Sequence, residues 1–259
     1  MEPTIKKSDF VQSLEKGLKV IAAFDAENDK MTLTEVSKKV DLTRANARRI
    51  LLTLQYLGFV QTEDGKQFSL SPKVLTLGYS YLSALPFQEL AKPYLRTLAD
   101  EVNESCSMSV LDGYDIVYVA RVQTNRIMTI SLGVGTRLPV YATSMGRVLL
   151  AGLPDGEMKE FLRGVKAEQL TPNTITDSEK LIERVQLVKE RGWALADQEL
   201  EIGVRSIACP IKDKYGKTIS ALNISGHASR VSKDEMLEKF LPHLKSTVAQ
   251  IENAIHKSV

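Results

Sequence analysis

At 259 residues the chain is long enough for about two domains with real hydrophobic cores, so no metal or disulfide is needed to hold it together. Its 43% hydrophobic and 25% charged residues are those of a soluble globular protein, and a formal net charge of +2 excludes a generally basic coat for nucleic acid. Cys106 and Cys209 form no CxxC pair, no apolar run follows Lys6 and Lys7, and no stretch reaches membrane-spanning length, which points to a reduced, cytoplasmic protein outside any membrane.

What positive charge there is lies at the front. Residues 1–77 hold 12 Lys/Arg against 10 Asp/Glu, whereas residues 78–259 hold 22 of each. Residues 1–10 read as a disordered tail. A helix is expected from about Val11 to Ala26, with Leu14, Leu18, Ile21 and Ala22 as its buried stripe and Asn28-Asp29-Lys30 as the following loop. Thr32 stands three residues before Glu35, the spacing of a capping box, and Leu33, Val36 and Val40 then share one face. Asp41-Leu42-Thr43 breaks the run. Thr43 can cap a second helix in which Ala47, Ile50, Leu51, Leu54 and Leu57 recur at helical spacing.

The other side of that second helix carries Ala45, Arg48, Arg49 and Thr53, with Arg44 and Asn46 in its exposed first turn. Arg forks onto guanine or phosphate, Asn pairs with adenine, and Thr or Ala touches a thymine methyl. Leu52 also points away from the stripe and has no place in this pattern. Gly58 ends the helix, and Phe59-Val60-Gln61 and Gln67-Phe68-Ser69-Leu70 flank a turn containing Asp64-Gly65, a hairpin signal. Helix, turn, helix and hairpin make residues 11–77 a winged helix-turn-helix. The expected DNA contacts are Thr43, Arg44, Ala45, Asn46, Arg48, Arg49 and Thr53, with Lys66 at the wing tip and Lys38 and Lys39 on phosphate.

Ser71-Pro72 opens a further helix with Val74, Leu75, Leu77, Tyr81, Leu82 and Leu85, more apolar than a solvated linker tolerates. Pro86 interrupts it, and a following helix leads into a second domain, giving a linker over 78–90 and a rear domain over 91–259. There Ser105–Leu111, an Asp112-Gly113 turn and Ile116–Gln123 read as a hairpin, and Arg126–Leu132 as a third strand. Thr143 or Ser144 caps a helix through Leu150. Helices follow around Glu157–Leu162 and Ser178–Arg191, then strands at Trp193–Asp197, Ser206–Ile211 and Thr218–Ile224, and a last helix opens at Ser232. A mainly antiparallel sheet flanked by helices, an α+β fold, is the expected architecture.

With these pieces in order the sequence resembles the IclR family of bacterial transcription regulators, and within it the branch controlling aromatic-acid catabolism by the β-ketoadipate pathway. The resemblance rests on Ser13-Leu14-Glu15-Lys16-Gly17-Leu18, the helix-turn-helix of Leu33–Val60, Leu138-Pro139 through Ala142-Thr143-Ser144-Met145-Gly146-Arg147, Asp197-Gln198-Glu199 with Gly203-Val204-Arg205-Ser206, and Asn223-Ile224-Ser225-Gly226. It implies a winged helix-turn-helix, a linker helix and a GAF-like effector domain, acting as a dimer or dimer of dimers on a palindromic operator. It implies an effector cavity at Ser144, Met145, Asp197, Ser206, Asn223 and Ser225, with Met128, Arg137 and Tyr141 as neighbours, and a small, aromatic carboxylic acid as effector.

The residues agree in outline. A capped helix start offers N–H groups to a carboxylate. Ser206 and Ala208 share one strand face and Arg205 and Ile207 the other, which favours Ser206 as the lining residue. Two rivals stand beside this reading. Ser144, Asp197 and His227 occur in the order of a Ser-Asp-His hydrolase, but Ser144 lacks the Gly-x-Ser-x-Gly elbow. A ligand-independent architectural DNA-binding dimer is the second. Gly133-Val134-Gly135 opens no dinucleotide-binding unit, and His227, His243 and His256 lack metal-ligand spacing, so no cofactor is expected.

Overall fold

Local chemistry decides where the front helices begin. The Thr32 hydroxyl accepts from the Glu35 N–H at 3.3 Å while the Glu35 carboxylate accepts from the Thr32 N–H at 2.7 Å, so the capping box is complete. Thr43 caps the next helix by accepting from the Asn46 N–H. The structure, a computed structural model, describes residues 5–124 and 132–257. The expected tail lies partly, and the expected strand at Arg126–Leu132 almost wholly, outside the described residues. The chain divides into two units between Tyr81 and Leu82.

The first unit contains α1 (Gln12–Ala22), β1 (Lys30–Thr32), α2 (Leu33–Lys39), α3 (Arg44–Tyr56), β2 (Val60–Thr62) and β3 (Gln67–Leu70). The strands form a small antiparallel sheet in the order β1-β3-β2. Gly65, with φ of +70°, makes the wing turn that Asp64 braces by accepting from the N–H groups of Lys66 and Gln67. Val20, Ala23, Phe24, Met31, Val36, Leu51, Leu54, Val60 and Phe68 form the core. The stripe expected on the first helix is corrected: Leu14 is 62% and Leu18 54% exposed and Ala22 is exposed, while Val20, Ala23 and Phe24 turn inward. The helix is amphipathic as the spacing predicts, but its N-terminal apolar residues face away from this unit's core.

A short 3-10 turn at Pro72–Val74 leads to α4 (Leu75–Ser83), whose Leu75, Leu77, Tyr79 and Tyr81 are all exposed. The second unit is a six-stranded antiparallel sheet in the order β6-β5-β4-β9-β8-β7. Its strands are β4 (Ser105–Asp112), β5 (Asp115–Val122), β6 (Arg137–Pro139), β7 (Ala194–Asp197), β8 (Val204–Lys212) and β9 (Thr218–His227). Strand alternation sorts the side chains onto two faces. Cys106, Met108, Ile207, Cys209, Leu222 and Ile224 pack one face against α5 (Pro86–Val102) and α10 (Leu241–Lys257), which follows α9 (Lys233–Glu235) and a π turn at Met236–Phe240. Both thiols are buried there, and desolvation raises both pKa values, that of Cys209 to about 12. The other face meets α6 (Ser144–Ala151), α7 (Asp155–Gly164) and α8 (Ser178–Arg191) through Tyr118, Met145, Val148, Ala194, Ala208 and Ala221. Along that face, where α6 begins, the polar residues collect.

Candidate functional site

On the first unit, Arg44, Ala45, Arg48 and Arg49 are exposed on α3, Thr53 is exposed one turn on, and Asn46 is half-buried. Leu52, unassigned by the sequence, is 41% exposed on the same outward face, where an apolar side chain can meet a thymine methyl. Among the described residues, no carboxylate pairs with Arg44, Arg48, Arg49, Lys38 or Lys66, so these cations stay available to phosphate. Lys39 differs. Its ammonium lies 2.6 Å from Asp25 and, with Asn28, holds that carboxyl down at about 2. Asn46, Arg49 and Thr53 also border a groove of about 630 Å³ floored by Leu14, Leu18, Ile21, Leu57 and Phe59.

On the second unit, Thr143 caps α6 by accepting from the Gly146 N–H, which leaves the N–H groups of the first turn without intrahelical acceptors. Ser144 Oγ lies 2.8 Å from Ser206 Oγ on β8, and Met145 Sδ accepts from the Ser109 hydroxyl. Ser206 faces Ser225 on β9, which faces Ser105 on β4. One step along, Asn223 faces Ser107, and Ser107 faces Arg121 on β5. Two polar rows therefore cross the sheet. Ser144, Met145, Ser206, Asn223 and Ser225 line a chamber of about 30 Å³ with Tyr118, Leu138, Leu200 and Val204.

Arg121 closes one end of these rows. Its Nη1 donates to Ser107 Oγ at 3.2 Å, and its guanidinium carbon lies 6.0 Å from the Tyr118 ring centre. Burial lowers its pKa, opposed by Tyr118 and Cys106, while burial lifts Tyr118 to about 12. Among the described residues, the Nε and Nη2 of Arg121, the Oγ of Ser105 and the Oδ1 of Asn223 are buried with no hydrogen-bond partner. Such orphaned atoms are uncommon in folded proteins and concentrate here on one face.

The remaining sequence-nominated positions lie elsewhere. Arg137 is exposed and pairs with Asp112 and Asp115. The Tyr141 hydroxyl accepts from the Glu168 N–H and donates to its carbonyl. Asp197 binds Arg205 Nε at 2.7 Å and Lys233 at 2.8 Å; burial would raise its pKa, but these cations bring it below the usual value. Met128 falls outside the described residues. Ser144, Asp197 and His227 make no relay, since His227 Nδ1 shares its hydrogen bond with Ser229. Behind the chamber, Arg147 of α6 is 3% exposed and pairs with Glu199, donating Nη1 to it at 2.7 Å and Nη2 to its second oxygen.

A helix-turn-helix model, the IclR helix-turn-helix domain, matches residues 13–64, and the bacterial transcriptional regulator IclR C-terminal domain matches residues 79–253. The chain belongs to the IclR family. This IclR-family protein is a DNA-binding transcriptional regulator, and it is 45% identical over 237 residues to the Pca regulon regulatory protein of Pseudomonas putida, covering 91% of this chain and 81% of that one. It is 33% identical over 256 residues to the p-hydroxybenzoate hydroxylase transcriptional activator of Acinetobacter baylyi, covering 97% and 94%. Among solved structures, a double mutant of the inducer-binding domain of the Acinetobacter PobR transcription factor, in complex with 3-hydroxybenzoic acid, is 34% identical with a TM-score of 0.61, covering 64% of this chain and 97% of that domain. An IclR homologue from Microbacterium hydrocarbonoxydans complexed with 4-hydroxybenzoate shares the fold at TM-score 0.82, with 22% identity over 94% and 99%. Among the described residues, no helix is long and apolar enough to cross a membrane.

Proposed function

We propose that this regulator senses an aromatic carboxylic acid in the chamber between α6 and the sheet, and reads a palindromic operator with α3 and the wing. The observation that carries the effector assignment is the orphaned guanidinium of Arg121 beside the unsatisfied Asn223 and Ser105 atoms. A carboxylate accepts two parallel N–H bonds from Arg, and Asn223 and the serines can bond ring hydroxyls. The relatives named for the Pca regulon and for p-hydroxybenzoate hydroxylase support the same ligand class. At about 30 Å³ the chamber holds roughly one water, so an aromatic ring enters only as Leu138, Leu200 and Val204 move apart.

The exposed Leu75, Leu77, Tyr79 and Tyr81 of α4 and the bare Leu14 and Leu18 of α1 suit pairing with a second copy, which sets two recognition helices on half-sites about one helical turn apart. Working on chromosomal DNA places the protein in the cytoplasm. Calorimetry of the full chain with benzoate, 3- and 4-hydroxybenzoate and 3,4-dihydroxybenzoate, with operator binding followed in parallel, tests the reading. Saturable heat with at least one acid and a changed operator affinity in its presence is expected. Silence across the series with operator binding intact would favour a ligand-independent DNA-binding dimer.

A further inference from the structure

The second unit carries another cavity, on the far side of Glu199 from the chamber. It measures about 320 Å³, within the range of small-molecule sites, and Arg147, Arg184, Arg191 and Lys233 stand around it. Two acids, Asp197 and Glu199, share the wall, and both are occupied: Glu199 by Arg147, Asp197 by Lys233 and by Arg205 from outside the cavity. Arg184 and Arg191 have no carboxylate partner among the described residues. They stand seven residues apart on α8, with Val188 between them on the same helix face, so their Cα atoms are about 10 Å apart.

The Arg191 guanidinium is held in place. It stacks 3.7 Å from the Trp193 ring centre and donates Nε to the Trp193 carbonyl at 2.7 Å, and among the described residues its terminal nitrogens have no side-chain carboxylate partner. Burial lowers its pKa, and the nearby charges of Arg184 and Arg147 lower it further. Arg147 itself keeps a buried Nε with no partner among the described residues even while its fork grips Glu199. Like charges gathered round a hollow, one of them fixed by stacking, disfavour one another until an anion joins them.

We infer that this cavity is a second ligand site, selective for a compact dianion, a dicarboxylate or a phosphate group, whose charge Arg184 and Arg191 share. Guanidinium forks match carboxylate and phosphate groups equally, and a monoanion satisfies only one of the two. Asn173 at the rim can bond a neutral oxygen of the same ligand. The site is separate from the chamber that holds Ser144 and Asn223, the two sharing only Glu199 among their walls.

Calorimetry of the full-length protein at low salt, using succinate, inorganic phosphate and acetate as probes, tests the inference. One saturable event per chain with succinate or phosphate is expected, with acetate at least tenfold weaker. The double substitution Arg184→Gln/Arg191→Gln should weaken the dianion at least tenfold, and Arg184→Gln alone, at an exposed position outside the Trp193 stack, should weaken it with an unchanged melting temperature. Asn223→Leu should leave it unchanged. No saturable heat with either dianion, binding indifferent to the double substitution, or binding lost with Asn223→Leu would each overturn the inference. Preference for succinate or for phosphate distinguishes a dicarboxylate site from a phosphate site.

Discussion

Replacing Arg121 with Met separates ligand recognition from folding. In the proposed complex the two orphaned donors, Nε and Nη2, meet one carboxylate. Charge-assisted hydrogen bonds are worth about 1.5–3 kcal/mol each, and losing two of them costs about 3–4 kcal/mol after allowing for shared desolvation. Affinity for a hydroxybenzoate should fall by roughly two to three orders of magnitude. Stability should move the other way. Met has a similar length, removes buried donors that lack partners among the described residues, and forfeits the 3.2 Å bond to Ser107 and the distant 6.0 Å approach to the Tyr118 ring. Without ligand the melting temperature should hold or rise by about 2–4 °C. Calorimetry with 4-hydroxybenzoate and a thermal melt read the two effects on the same preparation. Undiminished affinity would remove Arg121 from recognition, and a stability loss above about 2 kcal/mol would make it a structural residue instead.

Arg44→Ala combined with Arg49→Ala should weaken operator binding by about 2–5 kcal/mol and flatten its salt dependence, measured by mobility shift over a salt series. In Gly146→Ala the new Cβ would lie 2.0 Å from the Val140 carbonyl oxygen, so the start of α6 must shift; denaturant unfolding should show a loss of about 3 kcal/mol or more. Arg147→Met leaves Glu199 buried without its partner and should cost about 3–5 kcal/mol, most of it recovered in Arg147→Met/Glu199→Leu, as unfolding midpoints will report. Asp25 has its pKa lowered from 3.8 to about 2 in the folded protein, so its contribution is complete above pH 3.8 and is lost as pH falls through 2. Asp25→Asn should flatten the pH dependence of stability in that window.

Much of the architecture was legible because local chemistry and tertiary packing agree. Thr32 with Glu35, Thr43, Asp64-Gly65, Ser232 and the Gly192 stop each fix an element boundary through hydrogen bonds a few residues long. Leu14 and Leu18 misled, since an amphipathic period shows that a face is apolar without saying whether its own domain covers it. Residue types nominated the polar chamber residues, and strand alternation separates Ser206 from Arg205. The same alternation also pairs Asp197 with Arg205 across β7 and β8, a clue passed over in nominating Asp197. Arg121 went unnoticed, yet a lone guanidinium within the β-branched run of β5 was a visible anomaly. Its register opposite Ser107 depends on a bulge in the β4–β5 ladder, which no local pattern announces. The basic cavity beside α8 draws on α6, α8, β7 and α9 at once, so it exists only in three dimensions.

The narrowness of the Ser144 chamber has a regulatory consequence. A wall that must part before a ring can enter charges every binding event with the work of opening, and the concentration giving half-response rises tenfold for each 1.4 kcal/mol of that work. The tightness of packing around Leu138, Leu200 and Val204 thereby becomes a threshold dial. Under the proposed assignment, trace metabolite would leave the switch untouched and an abundant supply would trip it, with the set point tunable by side-chain bulk while the polar groups proposed to recognise the molecule stay the same.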